Sequence, residues 1–234
     1  MLNIRSLTVN PLQERCYVAW REAGRCILVD PGCCDAAECD ALADLLAQER
    51  LAPEAILLTH GHFDHILGVQ AFQERYGIPV RMHPADGDIL ERGAQMAVRF
   101  GLPAPQTDFR RTEVADGETL EVAGMRLEVI ATPGHSPGSV CYLEREAGIL
   151  FSGDTLFAGA IGRTDLPGGE YDDEIRSIME KLILLDPETR ILPGHGPSST
   201  IGHERTHNPF LEPFNEPEEA EDGEAAPVVI RRDA

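Results

Sequence analysis

Leu2, Ile4, Leu7 and Val9 are interleaved with polar residues, which predicts a half-buried strand over Asn3–Val9. Apolar runs at Cys16–Trp20 and Cys26–Val29 predict two more strands, and Asp30-Pro31-Gly32 breaks the third. Ala36–Glu49, rich in Ala and Leu at near-helical spacing, predicts a helix. A short strand follows at Ala55–Leu58 and ends on Thr59-His60. Next come a helix over Asp64–Tyr76, a strand at Val80–Met82 and a helical stretch at Asp86–Phe100. The Pro-containing loop Gly101–Asp108 is expected to border a site. The second half repeats the grammar, with strands at Thr119–Val122, Met125–Thr132, Ser139–Glu144 and Gly148–Phe151. A helix at Tyr171–Leu185, a strand at Arg190–Leu192 and a helix at Ser199–Arg205 complete it. Strand groups followed by helices, twice over, suggest two βα halves facing each other.

Composition adds limits. With 234 residues, 42% hydrophobic and 26% charged, the chain reads as globular. No apolar run approaches the roughly 18 residues of a membrane span, so no membrane partner is expected. The first ten residues lack a basic n-region and an apolar h-region, so they read as a strand and the protein as cytoplasmic. The net charge is -20, of which Glu212–Ala234 carries -6. So acidic a surface repels phosphate backbones, and no nucleic-acid partner is expected. From Glu216 the chain is Glu, Asp, Ala and Pro, a composition that cannot offset its ordering entropy. The expected division is a domain over 1–211 and an acidic, disordered tail over 212–234. Of the six cysteines, Cys33, Cys34 and Cys39 cluster without a CxxC pair. They fit a soft metal site or a redox pair less well than reduced thiols around a turn and a helix start.

Chemistry concentrates in Thr59-His60-Gly61-His62-Phe63-Asp64-His65. His60 and His62 are two apart at a strand end and point the same way. Asp64 and His65 begin the following helix and face elsewhere. Helix capping explains Asp64 but not three histidines around it, whose lone pairs need a shared partner. Ligand-type residues recur beside glycine at three later turns: His135 in Thr132-Pro133-Gly134-His135-Ser136-Pro137-Gly138, Asp154 in Ser152-Gly153-Asp154-Thr155, and His195 in Pro193-Gly194-His195-Gly196-Pro197. Their strand-end positions, in register with the first motif, point to a metal site.

HxHxDH followed by PGHSPGS, SGDTLF and PGHGP resembles the metallo-β-lactamase superfamily, and within it the glyoxalase II (hydroxyacylglutathione hydrolase) branch. The resemblance extends to about Phe210 and implies a four-layer αβ/βα sandwich. It implies that His60, His62 and His135 hold one metal, that Asp64, His65 and His195 hold a second, and that Asp154 bridges them. Asp64 and Asp154 would be the catalytic carboxylates. Two divalent ions roughly 3.5–4 Å apart lower the pKa of a shared water toward neutrality and supply a hydroxide nucleophile. Imidazole and carboxylate ligands accept zinc, here the first choice, or iron or manganese. The implied reaction is hydrolysis of S-D-lactoylglutathione, or a similar acyl-glutathione thioester, to glutathione and D-lactate. Its thiolate, with a conjugate-acid pKa near roughly 8.5, leaves with little acid assistance.

In Gly162-Arg163-Thr164-Asp165 the family carries a cation that contacts glutathione, making Arg163 a substrate-binding candidate; a surface ion pair with Asp165 is the competing reading. Longer glyoxalase II enzymes have tyrosines where Asp165 and Pro197 stand and carry a C-terminal helical domain, so the chain resembles a short form. The His at position 65 separates it from true β-lactamases of this fold and argues against antibiotic hydrolysis. Two alternatives remain. One is a glutathione persulfide dioxygenase with a single iron on His60, His135 and Asp154, suggested by the shared GRTD stretch. The other is a non-catalytic metal-binding member of the fold, which should have lost a ligand. A nuclease has neither the charge nor a visible clamp domain. His83, His203 and His207 fall outside the constellation.

Overall fold

Most central strands are apolar on both faces, so each sheet must be covered twice. A computed structural model of the protein describes residues 1–214; the predicted tail, beyond its first residues, lies outside them. The first sheet runs β1 (Asn3–Val9), β2 (Glu14–Trp20), β3 (Arg25–Val29), β4 (Ala52–Leu57), β5 (Val80–Met82) and β6 (Arg111–Glu113), in that spatial order. The helices α1 (Ala36–Gln48), α2 (Phe63–Ile66), α3 (Val69–Tyr76) and α4 (Gly87–Arg99) lie in the connections from β3 to β6, a run in which each strand is parallel to the next. The second sheet contains β7 (Thr119–Val122), β8 (Met125–Ala131), β9 (Val140–Glu144) and β10 (Ile149–Gly153). A separate hairpin, β11 (Leu156–Phe157) and β12 (Ala160–Ile161), precedes α5 (Tyr171–Ser177). β13 (Arg190–Pro193) and β14 (Ser199–Thr200) complete this sheet in the order β14-β13-β10-β9-β8-β7, and α6 (Ile201–His207) follows.

Alternation along the strands builds the four layers. Tyr17, Ile27, Val29 and Leu57 of the first sheet meet Val129, Tyr142 and Phe151 of the second in one buried cluster. Their neighbours Val18, Leu28 and Ile56 point the other way, onto Leu42 and Leu46 of α1 and Phe72 of α3. Cys141, Leu143 and Leu150 likewise face outward onto Ile178, Leu182 and Ile201. The result is the expected αβ/βα sandwich. No helix among the described residues is long and apolar enough to cross a membrane.

Two tyrosines tie the sheets together where the strands end. Tyr142 of β9 donates its hydroxyl to the Leu58 carbonyl at 2.9 Å, and Tyr17 of β2 donates to the Pro193 carbonyl at 2.6 Å. Each acceptor sits two residues before a histidine, His60 or His195. The rings fill the apolar core while their hydroxyls satisfy backbone groups that leave the ladder.

Several elements differ from the sequence expectations. The helix expected over 64–76 is two helices, broken at Leu67–Gly68, where the Gly68 N–H donates to the Pro31 carbonyl at 2.9 Å. The helix expected from Ser199 begins at Ile201, because Ser199 and Thr200 pair with β13; Thr200 then caps it by accepting from the His203 N–H. Tyr171–Leu185 is α-helical only to Ser177 and continues in wider π-type turns to Leu182. The polar three-residue β6 and the short β11–β12 hairpin have no hydrophobic period to read. The loop 101–108 does not line the cleft over the site; its Leu102 packs against Phe63 instead, and Phe100 takes the bordering position.

Candidate metal centre

The chain emerges from β4, β8, β10 and β13 at one edge of the sandwich, and these are the four turns that bear ligand-type residues. In open α/β architectures, the carboxyl ends of parallel strands are where backbone turns expose side chains to a common crevice. All seven predicted side chains meet there. Ligand atoms of His60, His62 and His135 lie within 4.8 Å of one another, as do those of Asp64, His65 and His195. Asp154 stands between the two groups: its Oδ2 is 3.7 Å from His135 Nε2 and 3.5 Å from His195 Nε2, and its Oδ1 is 3.5 Å from His65 Nε2.

The outward nitrogens of four histidines are engaged, which sets their tautomers. His135 Nδ1 faces the Arg163 carbonyl at 2.8 Å, and His195 Nδ1 faces the Leu12 carbonyl at 3.1 Å. His65 Nδ1 is 3.1 Å from Asp30 Oδ2. His60 Nδ1 reaches the same carboxylate through Thr59, whose hydroxyl is 3.0 Å from the ring and 2.6 Å from Asp30 Oδ2. With Nδ1 donating, Nε2 of each ring is left with a lone pair aimed into the site. His135 Nε2 is within hydrogen-bond distance of His62 Nδ1 at 2.8 Å, whereas His60 Nε2, His65 Nε2 and Asp154 Oδ1 are buried with no hydrogen-bond partner among the described residues. Converging lone pairs without donors are costly unless a cation takes them. The residues present therefore fit divalent metal ions.

Electrostatics agrees. Burial, reinforced by His65 and His135, holds His60 well below the ordinary imidazole value, and burial drives His62 down to about 3. Both rings are neutral at pH 7, the form a metal requires. Burial also opposes charge on His65 and Asp154. Even so, the carboxylates Asp154 and Asp64 raise His65 well above its usual range, and His65 in turn holds Asp154 well below the carboxylate range. The carboxylates around His65 thus favour a cation at this point, whether a proton or a metal ion that displaces it.

The sequence does not single out the carboxylates that support the donors. Asp30, at a left-handed φ of 48°, was legible only as a strand breaker. Asp86 is fully buried and binds the Gly61 N–H (2.7 Å), the Ser136 hydroxyl (2.8 Å) and the Gly138 N–H (2.6 Å), joining the first ligand loop to the His135 loop. A Cβ on Gly138 would stand 2.7 Å from this carboxylate, so close approach requires glycine there. Gly194 has the same function: its Cβ would lie 2.2 Å from Asp154 Oδ1. Glu174 on α5 accepts from the His135 N–H at 2.8 Å, and burial pushes its carboxyl up to about 8. No signal along the chain marks Asp86 or Glu174. Glu14, whose buried carboxylate lies 4.0 Å from His65 Nδ1, carries no such signal either.

Arg163 lies at the cleft, but its guanidinium is paired with Asp165 by two contacts of 2.7 Å, while its carbonyl orients His135. His203 and His207 stack on each other on α6, and His83 caps the turn before α4. All six cysteines are free thiols, and among the described residues no donor cluster includes one.

A family profile described as the metallo-beta-lactamase superfamily matches residues 9–195. The chain is 35% identical over 216 residues to the hydroxyacylglutathione hydrolase GloC of Haemophilus influenzae, covering 90% of this chain and 98% of that protein. Among solved structures, the di-iron-bound form of TTHA1623 aligns with a TM-score of 0.78 at 39% identity, over 88% of this chain and all of that one. The BLEG-1 B3 metallo-beta-lactamase aligns with a TM-score of 0.83 at 37% identity, over 89% of this chain and 99% of that one.

Proposed function

The chain belongs to the metallo-beta-lactamase superfamily, and from this we propose that it is a dinuclear metal hydrolase acting on acyl-glutathione thioesters. The observation that carries the reading is the convergence of seven donors in two groups around Asp154. In it, His60, His62 and His135 would hold one ion and Asp64, His65 and His195 the other, with Asp154 within reach of both groups. Metal ions so held supply Lewis acidity toward a carbonyl oxygen and a nucleophilic hydroxide at neutral pH. Asp30 and Thr59 fix the rings of His60 and His65, the Arg163 and Leu12 carbonyls fix His135 and His195, and buried Asp86 keeps the two ligand loops in register. Likeness to GloC over nine-tenths of the chain supports the thioester substrate. The proposed setting is the cytoplasm.

The test is metal analysis of purified protein paired with an S-D-lactoylglutathione assay. About two transition-metal ions per chain with turnover is the expected result; a metal-free, inactive protein that chelators do not affect would reject the proposal. The likeness to BLEG-1 supports a second reading, β-lactam hydrolysis, so a chromogenic cephalosporin belongs in the same assay. Oxygen uptake with glutathione persulfide separates the single-iron dioxygenase reading, which leaves Asp64, His65 and His195 without a metal ion to hold.

Two variants probe the supporting contacts. Asp30→Asn, which keeps a residue suited to a left-handed backbone, is expected to weaken metal binding roughly 10–100-fold by removing charge behind two ligand rings. Chelator competition measures it. Arg163→Ala is expected to raise KM for glutathione thioesters more than it lowers kcat, the pattern of uniform binding. Steady-state kinetics decide, and an unchanged KM removes Arg163 as an anchor.

A further inference from the structure

Above the metal donors lies a cleft of about 370 Å³, a size that suits a small molecule. One wall is a face of α4: Ile89, Gly93 and Met96 recur at helical spacing, and Phe100 extends the stripe. Facing it are Phe157 and Ile161 of the β11–β12 hairpin and Leu166 and Pro167 beyond. The Phe63 and Phe100 rings pair at 5.4 Å, yet Phe100 remains 56% exposed at the mouth. Apart from the candidate metal ligands, the polar side chains lining the cleft are Arg92 and Arg163. Arg163 is occupied by Asp165, whereas Arg92 makes no hydrogen bond or ion pair among the described residues.

A lactoyl group, three carbons with a hydroxyl, would leave these apolar walls wet. Each methylene moved from water onto such walls strengthens binding by roughly fourfold. We infer that the cleft selects thioesters with a medium-length aliphatic or aromatic acyl chain, lodged between α4 and the β11–β12 hairpin, and that Arg92 receives a carboxylate of the thiol half. This inference rests on the thioester reading and refines its substrate class. The carboxylate on Arg92 also accounts for an unpaired cation beside an apolar cleft in a chain of net charge -20.

The experiment uses metal-replete enzyme with S-lactoylglutathione, S-hexanoylglutathione and S-hexanoyl-N-acetylcysteamine, the last lacking a carboxylate. Expected is a kcat/KM for hexanoylglutathione at least about tenfold above lactoylglutathione. Met96 lines the cleft from α4, so Met96→Ala removes part of the apolar wall and is expected to narrow that ratio toward one. Arg92→Ala is expected to raise KM for hexanoylglutathione more than for the N-acetylcysteamine thioester. Binding of two uncleavable thioethers is measured in parallel on the unaltered protein. S-hexylglutathione is expected to bind at least about tenfold more tightly than S-methylglutathione. Turnover of lactoylglutathione equal to that of hexanoylglutathione, with equal binding of the two thioethers, overturns the inference and leaves the thioester reading standing. Tighter hexyl binding with no thioester hydrolysed sinks the thioester reading and keeps the apolar cleft.

Discussion

Asp154→Ala is expected to lower turnover of S-D-lactoylglutathione by roughly a thousandfold or more, the scale of losing a group that organises transition-state charge. Metal content should fall in the same preparation. The reason is position. Asp154 is within 3.7 Å of a nitrogen from the first donor group and 3.5 Å of two from the second. Its removal takes away the negative charge shared by both groups and leaves the imidazoles of His60, His65 and His135 facing one another. Losing only a supporting carboxylate, as in Asp30→Asn, should cost far less. Metal analysis beside the kinetics checks the claim. A variant that retained full metal and wild-type rate would remove Asp154 from between the ions.

Replacing Asp86 with alanine is the second large effect, and it falls on stability. Three buried donors, the Gly61 and Gly138 amides and the Ser136 hydroxyl, lose their acceptor together. Each unpaired buried donor costs about 1–3 kcal/mol. Burial of the carboxylate itself is unfavourable and pushes its pKa up, which offsets part of the loss. A net destabilisation of about 3 kcal/mol is expected, or roughly 6–12 °C in Tm for a chain of this size. Calorimetry of metal-free and metal-loaded protein should show the drop in both forms. The loaded form should drop further, because the two loops that Asp86 joins also present His60, His62 and His135. A Tm unchanged in both forms would mean that water or relaxation replaces the carboxylate.

Legibility in the sequence followed how local each signal was. His60, His62, Asp64 and His65 occupy one short segment, and His135, Asp154 and His195 each sit beside a glycine at a strand end, so all seven could be named without coordinates. Asp30 shares the same strand-end context, but its Pro-Gly sequel is fully explained by a turn. Asp86 is one acidic residue at a helix start and Glu174 the last of three in the first turn of α5, the commonest place for surface carboxylates, and nothing nearby marks either as buried. The sequence points to the Arg163 side chain, whereas its carbonyl is what meets His135. Among the elements, long periodic ones were predictable. The break at Leu67–Gly68 arises from packing against Pro31, a contact 37 residues away that no local pattern carries.

Short segments of the chain carry the strand and helix grammar, the acidic surface charge and the donor-type residues, because periodicity, charge and ligand chemistry are local properties. Only in the folded chain does Asp154 fall between two donor groups, Asp86 lock one half to the other, and α4 with the β11–β12 hairpin enclose an apolar cleft. Those outcomes depend on how two sheets register across a shared core, through contacts such as Tyr142 to Leu58 and Tyr17 to Pro193. Pairs separated by 84 and 176 residues are joined only when the chain closes on itself.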